Sequence, residues 1–228
     1  MKLHLLSLAQ IKALKAPVPS YVISCPDGGA VLVDTGPPPA APGDRLPLLR
    51  GEPVTRQLDR LGFTPADVRY VICTHLDPDH AGGHDLFPEA EFVIQRRHLQ
   101  AALSGAVDRL LITRQRWEAV RFKEVDGDCE LLPGIELIES GGHVIGHQSV
   151  LVRLPRTGPV LLAADAIPMA ACRDPDTRPM TPFDLDPVAV RASTRRLAEL
   201  AEREHAMVIY GHDPVQWPTL TVAPGYYD

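Results

Sequence analysis

Within the stretch "CTHLDPDHAGG" (73–83), His75, Asp77, Asp79 and His80 fall inside six consecutive positions. Imidazole nitrogens and carboxylate oxygens are the donor mix that divalent zinc, iron or manganese accepts. Residues two apart on an extended segment point the same way, so His75 and Asp77 can serve one ion. After the bend at Pro78, Asp79 and His80 can turn toward a second. Three further donors stand where apolar runs give way to turns: His143 or His147 in "GGHVIGHQS" (141–149), Asp165 in "LLAADA" (161–166) and His212 in "VIYGHDP" (208–214). Alone, each has an ordinary reading, since aspartate favours turns and a single histidine is commonly structural. Their joint order along the chain points to a metal site.

Such donors need a frame. The apolar run at 68–74 reads as a buried strand that empties directly into the first motif. Strands at 21–25 and 30–35 flank the turn "PDGG" and form a hairpin. Further strands are expected at 90–95, 121–125, 129–132, 135–139, 149–154, 159–164 and 206–211. Helices are expected at 54–62, ending at Gly62, and at 96–104, with a poorly amphipathic helical stretch over 105–120. The clearest helix is 186–204, capped by Asp186 and opened by Pro187, with Val190, Leu197, Leu200 and Ala201 on one face. Residues 1–14 read as a short interrupted apolar run, and the proline-rich segment 36–53 as irregular. Strands followed by a helix recur in both halves, which predicts sheet packed on sheet with helices outside.

Composition narrows the partners. The 228 residues form one expected domain over 1–228, and the formal charge of −6 comes without a basic stripe, against a nucleic-acid partner. No apolar run is long enough to span a membrane. Cys25, Cys73, Cys129 and Cys172 lack CxxC spacing and read as free thiols of a cytoplasmic protein.

The donor order resembles the metallo-β-lactamase fold superfamily, whose signature is HxHxDH followed by a later His, an Asp and a last His. The chain is most similar to the N-acyl homoserine lactone lactonases, through "HAGG" (80–83), "GHxxGHQS" (142–149) and "YGHD" (210–213). The likeness runs from "VLVDTG" (31–36) to "GHD" (211–213). It implies an α/β fold, an αββα four-layer sandwich of two mixed sheets flanked by helices, with a dinuclear centre on one edge. Carried over, the first of two divalent metal ions is held by His75, Asp77 and His143. The second is held by Asp79, His80 and His212, with Asp165 bridging and His147 behind. Zn2+ leads among the ions, with Mn2+ and Fe2+ as alternatives. The implied activity is hydrolysis of a lactone or related carboxylic ester, with a small-molecule substrate bearing an acyl chain. An iron-dependent oxidoreductase of the same fold, or a hydrolase of thioesters or phosphoesters, is the alternative. Leu46, Leu48 and Leu49 then mark a surface for the acyl chain or for a second copy in a homodimer.

Two positions depart from the pattern. Asp77 stands where the family usually has histidine, and Pro168 where the lactonases have a tyrosine three residues after the bridging aspartate. Asp77, Asp79 and Asp165 against two divalent ions leave one net positive charge, and a hydroxide removes it. The extra negative charge is expected to weaken Lewis acidity and favour harder ions. Asp79 is the expected proton acceptor, and Tyr21 or a water at the site the substitute donor. Asp34 is expected to support the site loops, His84 to face the pocket or start a helix, and Cys73 to be a packed thiol. His4, His98 and His205 have no partners in their own segments and read as surface or core.

Overall fold

The computed structural model describes residues 1–40 and 46–228. Within the proline-rich segment, 41–45 lie outside the described residues. A seven-stranded sheet contains β1 (Lys2–Ile11), β2 (Ala16–Ser24), β3 (Ala30–Val33), β4 (Leu48–Arg50), β5 (Val68–Ile72), β6 (Glu91–Gln95) and β7 (Arg121–Val125). Its order is β4-β1-β2-β3-β5-β6-β7. A five-stranded sheet contains β8 (Cys129–Leu132), β9 (Ile135–Glu139), β10 (Gln148–Leu154), β11 (Gly158–Ala164) and β12 (Met207–Tyr210), in the order β12-β11-β10-β9-β8. The helices are α1 (Val54–Arg60), α2 (Pro78–Ala81), α3 (Arg96–Ser104), α4 (Arg114–Trp117) and α5 (Pro187–Glu204).

Three apolar layers hold this together. Val31, Val33, Ile72 and Val93 of the first sheet meet Val150, Val152, Val160 and Leu162 of the second in a core between the sheets. Leu32, Val71 and Phe92 face the other way, against Leu58 and Leu99 of the flanking helices. Leu151, Leu161 and Ala163 pack on Leu197 and Ala201 of α5. Strands β3, β10 and β11 are thus covered on both faces, which explains their nearly continuous apolar runs. The result is the αββα sandwich of two mixed sheets.

Helix α5 forms as its caps dictate: Asp186 accepts hydrogen bonds from Val188 N and Ala189 N at 3.0 Å. Val190, Thr194, Leu197 and Ala201 are buried at helical spacing, while Leu200 is only partly covered.

Three expectations need correction. The N-terminal run is a ten-residue strand, antiparallel to β2 and β4. Cover on both faces leaves it without the alternation that marks a half-buried strand. The segment 36–53 is not wholly irregular, because Leu48–Arg50 pairs with β1, with Ile11 opposite Leu48. An edge strand tolerates the nearby prolines, which would disrupt a central one. The stretch 105–120 breaks into a 3-10 turn over Asp108–Thr113 and the single turn α4, with Leu110 and Trp117 buried.

The topology gathers the chemistry. β3, β5 and β6 are parallel neighbours, as are β11 and β12. Asp34 therefore follows β3, the first motif follows β5, and Asp165 and His212 follow β11 and β12, all at carboxyl ends of strands. Asp34 and Ala164 carry positive φ values of 57° and 46°, backbone strain that clusters where strands break into the site. The buried Gln148 ties the sheets together here, its Nε2 donating to Cys73 O at 2.8 Å and Val93 O at 3.0 Å. No helix among the described residues is long and apolar enough to cross a membrane.

Candidate metal centre

Four histidines present one ring nitrogen to a common point because the other is already engaged. Thr74 Oγ1 donates to Asp34 Oδ2 (2.7 Å) and so accepts from His75 Nδ1 (3.0 Å). His80 Nδ1 donates to Asp34 Oδ2 at 2.8 Å, His143 Nδ1 to Asp184 Oδ1 at 3.2 Å, and His212 Nδ1 to the Pro17 carbonyl at 2.7 Å. Each bond selects the tautomer that leaves the Nε2 lone pair free, the usual support of a metal-binding imidazole.

Those Nε2 atoms and the carboxylates form overlapping groups close enough to share an ion: His75, Asp77 and His143; Asp79, His80 and His212; and His75, His80 and Asp165. Asp165 stands between the first two. Its Oδ1 is 3.0 Å from His212 Nε2 and 3.5 Å from His80 Nε2, and its Oδ2 is 3.3 Å from His143 Nε2. The donors fit divalent ions on observations internal to the fold. His75 Nε2 is buried without a hydrogen-bond partner, a costly state unless something else binds it. His80 Nε2 and His212 Nε2 face each other at 3.3 Å, an arrangement of lone pairs that calls for a proton or an ion.

The surrounding carboxylates favour a positive charge on these imidazoles. Burial would lower the His143 pKa, but the Asp165 charge and the hydrogen bonds to Asp184 and Asp77 outweigh it and raise it to about 9. Burial likewise opposes charging of His80, yet Asp79, Asp165 and Asp34 push its pKa well above the usual value. Asp165 is held well below the usual carboxylate range, the penalty of its burial being exceeded by His212, His80 and His143. An ion must displace protons from His143, His80 and His212, all of whose pKa values are raised, so affinity is expected to rise with pH through about 9. Chelator competition with Zn2+ from pH 6 to 10 measures this, and a flat profile between pH 7 and 9 would contradict it.

His147 takes no part in these groups. Its Nδ1 meets Ser140 Oγ at 2.9 Å and its Nε2 accepts the Asp165 backbone N–H at 3.2 Å, so it holds the loop that carries Asp165. Asp34 also receives the Thr74 N–H at 2.8 Å, which pins the start of the motif loop. His84 is buried behind the site, between Thr35 Oγ1 (2.8 Å) and Cys73 Sγ (3.2 Å), rather than facing a pocket. Burial lowers the His84 pKa to about 3 and raises that of the Cys73 thiol, leaving both neutral. The Tyr21 hydroxyl is buried without a hydrogen-bond partner, and burial together with the Asp34 and Asp165 charges raises its pKa. Pro168 offers its carbonyl to the His212 N–H at 2.7 Å.

Sequence reasoning missed three residues. Asp184, which orients His143, is 41 positions away from it. Arg109 Nε lies 2.8 and 2.9 Å from the two oxygens of Asp77, 32 positions apart. His98, read as surface or core without a partner in its own segment, is buried and bridges two site loops: it accepts from Leu76 N at 2.9 Å and donates to Ile145 O at 2.7 Å. Burial lowers its pKa to about 4, consistent with this neutral double role. No local pattern marks any of them, because their partners arrive from other elements.

Above the donors opens a cavity of about 220 Å3, with Asp79, His143, Asp165 and His212 at its floor and Ile11, Leu46, Leu48, Ile112 and Phe183 in its walls. A larger groove of about 640 Å3 lies between α3, the loop 141–146 and α5. Its charged residues are already engaged, Arg97 with Glu139, Arg196 with Asp128, and Asp186 with the Val188 and Ala189 N–H groups it caps.

The sequence matches the family described as the Metallo-beta-lactamase superfamily over residues 15–212. It is 35% identical to the N-acyl homoserine lactonase AttM of Azorhizobium caulinodans, covering 93% of this chain and 88% of the relative. It is 32% identical to the N-acyl homoserine lactonase AiiA of Bacillus thuringiensis subsp. kurstaki, covering 94% and 88%. A solved N-acyl homoserine lactone hydrolase, with N-hexanoyl-L-homoserine bound at its catalytic metal center, is 28% identical. It superposes with a TM-score of 0.84 over 99% of this chain and 98% of the other.

Proposed function

The chain belongs to the metallo-beta-lactamase superfamily, and from that premise we propose that it is a dinuclear metal-dependent hydrolase that opens the ring of N-acyl homoserine lactones. The convergence of two three-donor groups around Asp165, beneath an apolar-walled cavity, carries this reading. Relatives similar over most of the chain bear that activity in their names. Bound divalent ions, zinc first and manganese or iron as alternatives, supply Lewis acidity to a carbonyl and to water.

The chain's own residues do the rest. His75, Asp77 and His143 hold one ion, Asp79, His80 and His212 the other, with Asp165 shared. Ile112, Phe183, Leu46 and Leu48 take the acyl chain and exclude water from around the lactone carbonyl. The Asp79 side chain, 24% exposed at the cavity floor, is placed to accept a proton from the attacking water. It returns that proton to the ring oxygen as the C–O bond breaks, so that one water is consumed per lactone opened. Pro168 removes the family's tyrosine from this step. Tyr21, whose unpartnered hydroxyl is kept protonated by burial, is in this reading a hydrogen-bond donor from behind the site and delivers no second proton. The four unpaired cysteines support a cytoplasmic site of action. Leu49, 59% exposed on the edge strand β4, is where a second copy would be met in a homodimer.

The test is incubation of the zinc-loaded protein with N-hexanoyl and N-decanoyl homoserine lactone, followed by mass spectrometry. Expected are products heavier by one water, loss of turnover on chelation, and its return on adding Zn2+. Inert lactones alongside hydrolysed thioesters or phosphoesters would replace the lactone reading.

A further inference from the structure

We propose that Asp77 and Arg109 act as one unit in place of a neutral histidine ligand, with Arg109 a positioning residue that both aims and neutralises the Asp77 carboxylate. The inference rests on the dinuclear reading above. Asp77 Oδ2 faces the first donor group, 3.1 Å from His143 Nε2 and 3.4 Å from His75 Nε2. Arg109 Nε lies 2.8 Å from the other oxygen, Oδ1, and 2.9 Å from Oδ2 itself. Oδ2 can therefore turn to an ion while Oδ1 keeps the guanidinium partner. Arg109 Nη2 also reaches the His143 carbonyl at 3.3 Å, so one side chain braces two donors of the same group.

This is not a solvated surface pair. The side chains of Arg109 and Asp77 are only 19% and 8% exposed, and the guanidinium stands 5.9 Å from the Phe183 ring centroid. At such burial, leaving either charge alone costs much more than an exposed ion pair is worth. The charge balance follows. Aspartate in place of histidine adds one negative charge, and Arg109 returns one positive charge beside it. The loss of Lewis acidity expected from Asp77 alone is thereby offset, because the centre carries the charge that a histidine would leave it.

Reciprocal dependence distinguishes this from a structural contact. Asp77→His alone sets an unpaired guanidinium against two dications, whereas Asp77→His with Arg109→Met restores a neutral ligand without the stray cation. Zn2+ stoichiometry and dissociation constants are measured by chelator competition for wild type, both single variants and the double variant. Asp77→His is expected to bind its weaker ion at least about tenfold less tightly than wild type, and the double variant to recover to within about threefold. Should Asp77→His not fold, Asp77→Asn with and without Arg109→Met runs the same cycle. A single Asp77 variant that binds both ions as tightly as wild type, or a double variant no tighter than that single one, overturns the proposal. A wild-type protein that binds no ion removes the proposed function itself, so the two failures are distinguishable.

Discussion

Replacing Asp165 with asparagine is expected to reduce bound metal from about two ions per chain to one or none, and to lower lactone hydrolysis at least about a thousandfold. Asp165 is the carboxylate within reach of both donor groups, with Oδ1 toward His80 and His212 and Oδ2 toward His143. Asparagine keeps the shape and removes the charge. The loop should hold its place, because His147 grips the Asp165 backbone N–H rather than its side chain. What disappears is the shared negative charge that would keep two dications together. Elemental analysis and kcat/KM report the two losses separately. Two ions and near-normal turnover in the variant would remove Asp165 from the bridging position.

Gly142→Ala is expected to cost about 3 kcal/mol of stability or more, and to weaken binding of the ion that His143 is proposed to hold. Gly142 sits at a φ of 127°, and a Cβ there would lie 2.2 Å from Val190 N and 2.7 Å from the Ala189 carbonyl carbon. Both are backbone atoms of α5, which cannot swing aside as a side-chain end can. The same contact joins α5 to the site, since Asp186 N donates to Gly142 O at 2.9 Å and Leu185 N to His143 O at 3.1 Å. Gly105→Ala is the control. It has a φ of 72° but no atom within 4 Å of the added carbon, so it should cost only about 1 kcal/mol of backbone strain. Thermal melts of both variants, with metal analysis of the first, separate crowding from dihedral strain. Equal losses in the two would show that contact with α5 is not what demands glycine at 142.

Much of the frame was legible in the chain. The helix over 186–204 announced itself through Asp186, Pro187 and a 3.6-residue apolar repeat, all of which are local. Strand β1 did not, because a strand covered on both faces has no period to read: Leu6 and Leu8 pack toward Val54 and Leu58 of α1, while Leu3 and Leu5 enter the core between the sheets. The short edge strand at Leu48–Arg50 was hidden by prolines that only a central strand would have to exclude.

The candidate site divides in the same way. Donor type and placement at strand ends belong to the sequence by itself for His75, Asp77, Asp79, His80, Asp165 and His212, which leave the core where apolar runs end; between His143 and His147 the residues alone did not choose, and the structure puts His143 among the donors and His147 behind them. Tertiary structure decided which ring nitrogen His80, His143 and His212 present, since Asp34, Asp184 and Pro17 engage Nδ1 from other elements. It also set Arg109 against Asp77. A donor's type is a property of one residue, whereas its tautomer, charge and aim depend on buried neighbours, and those are brought close only when two sheets and their connecting loops pack together.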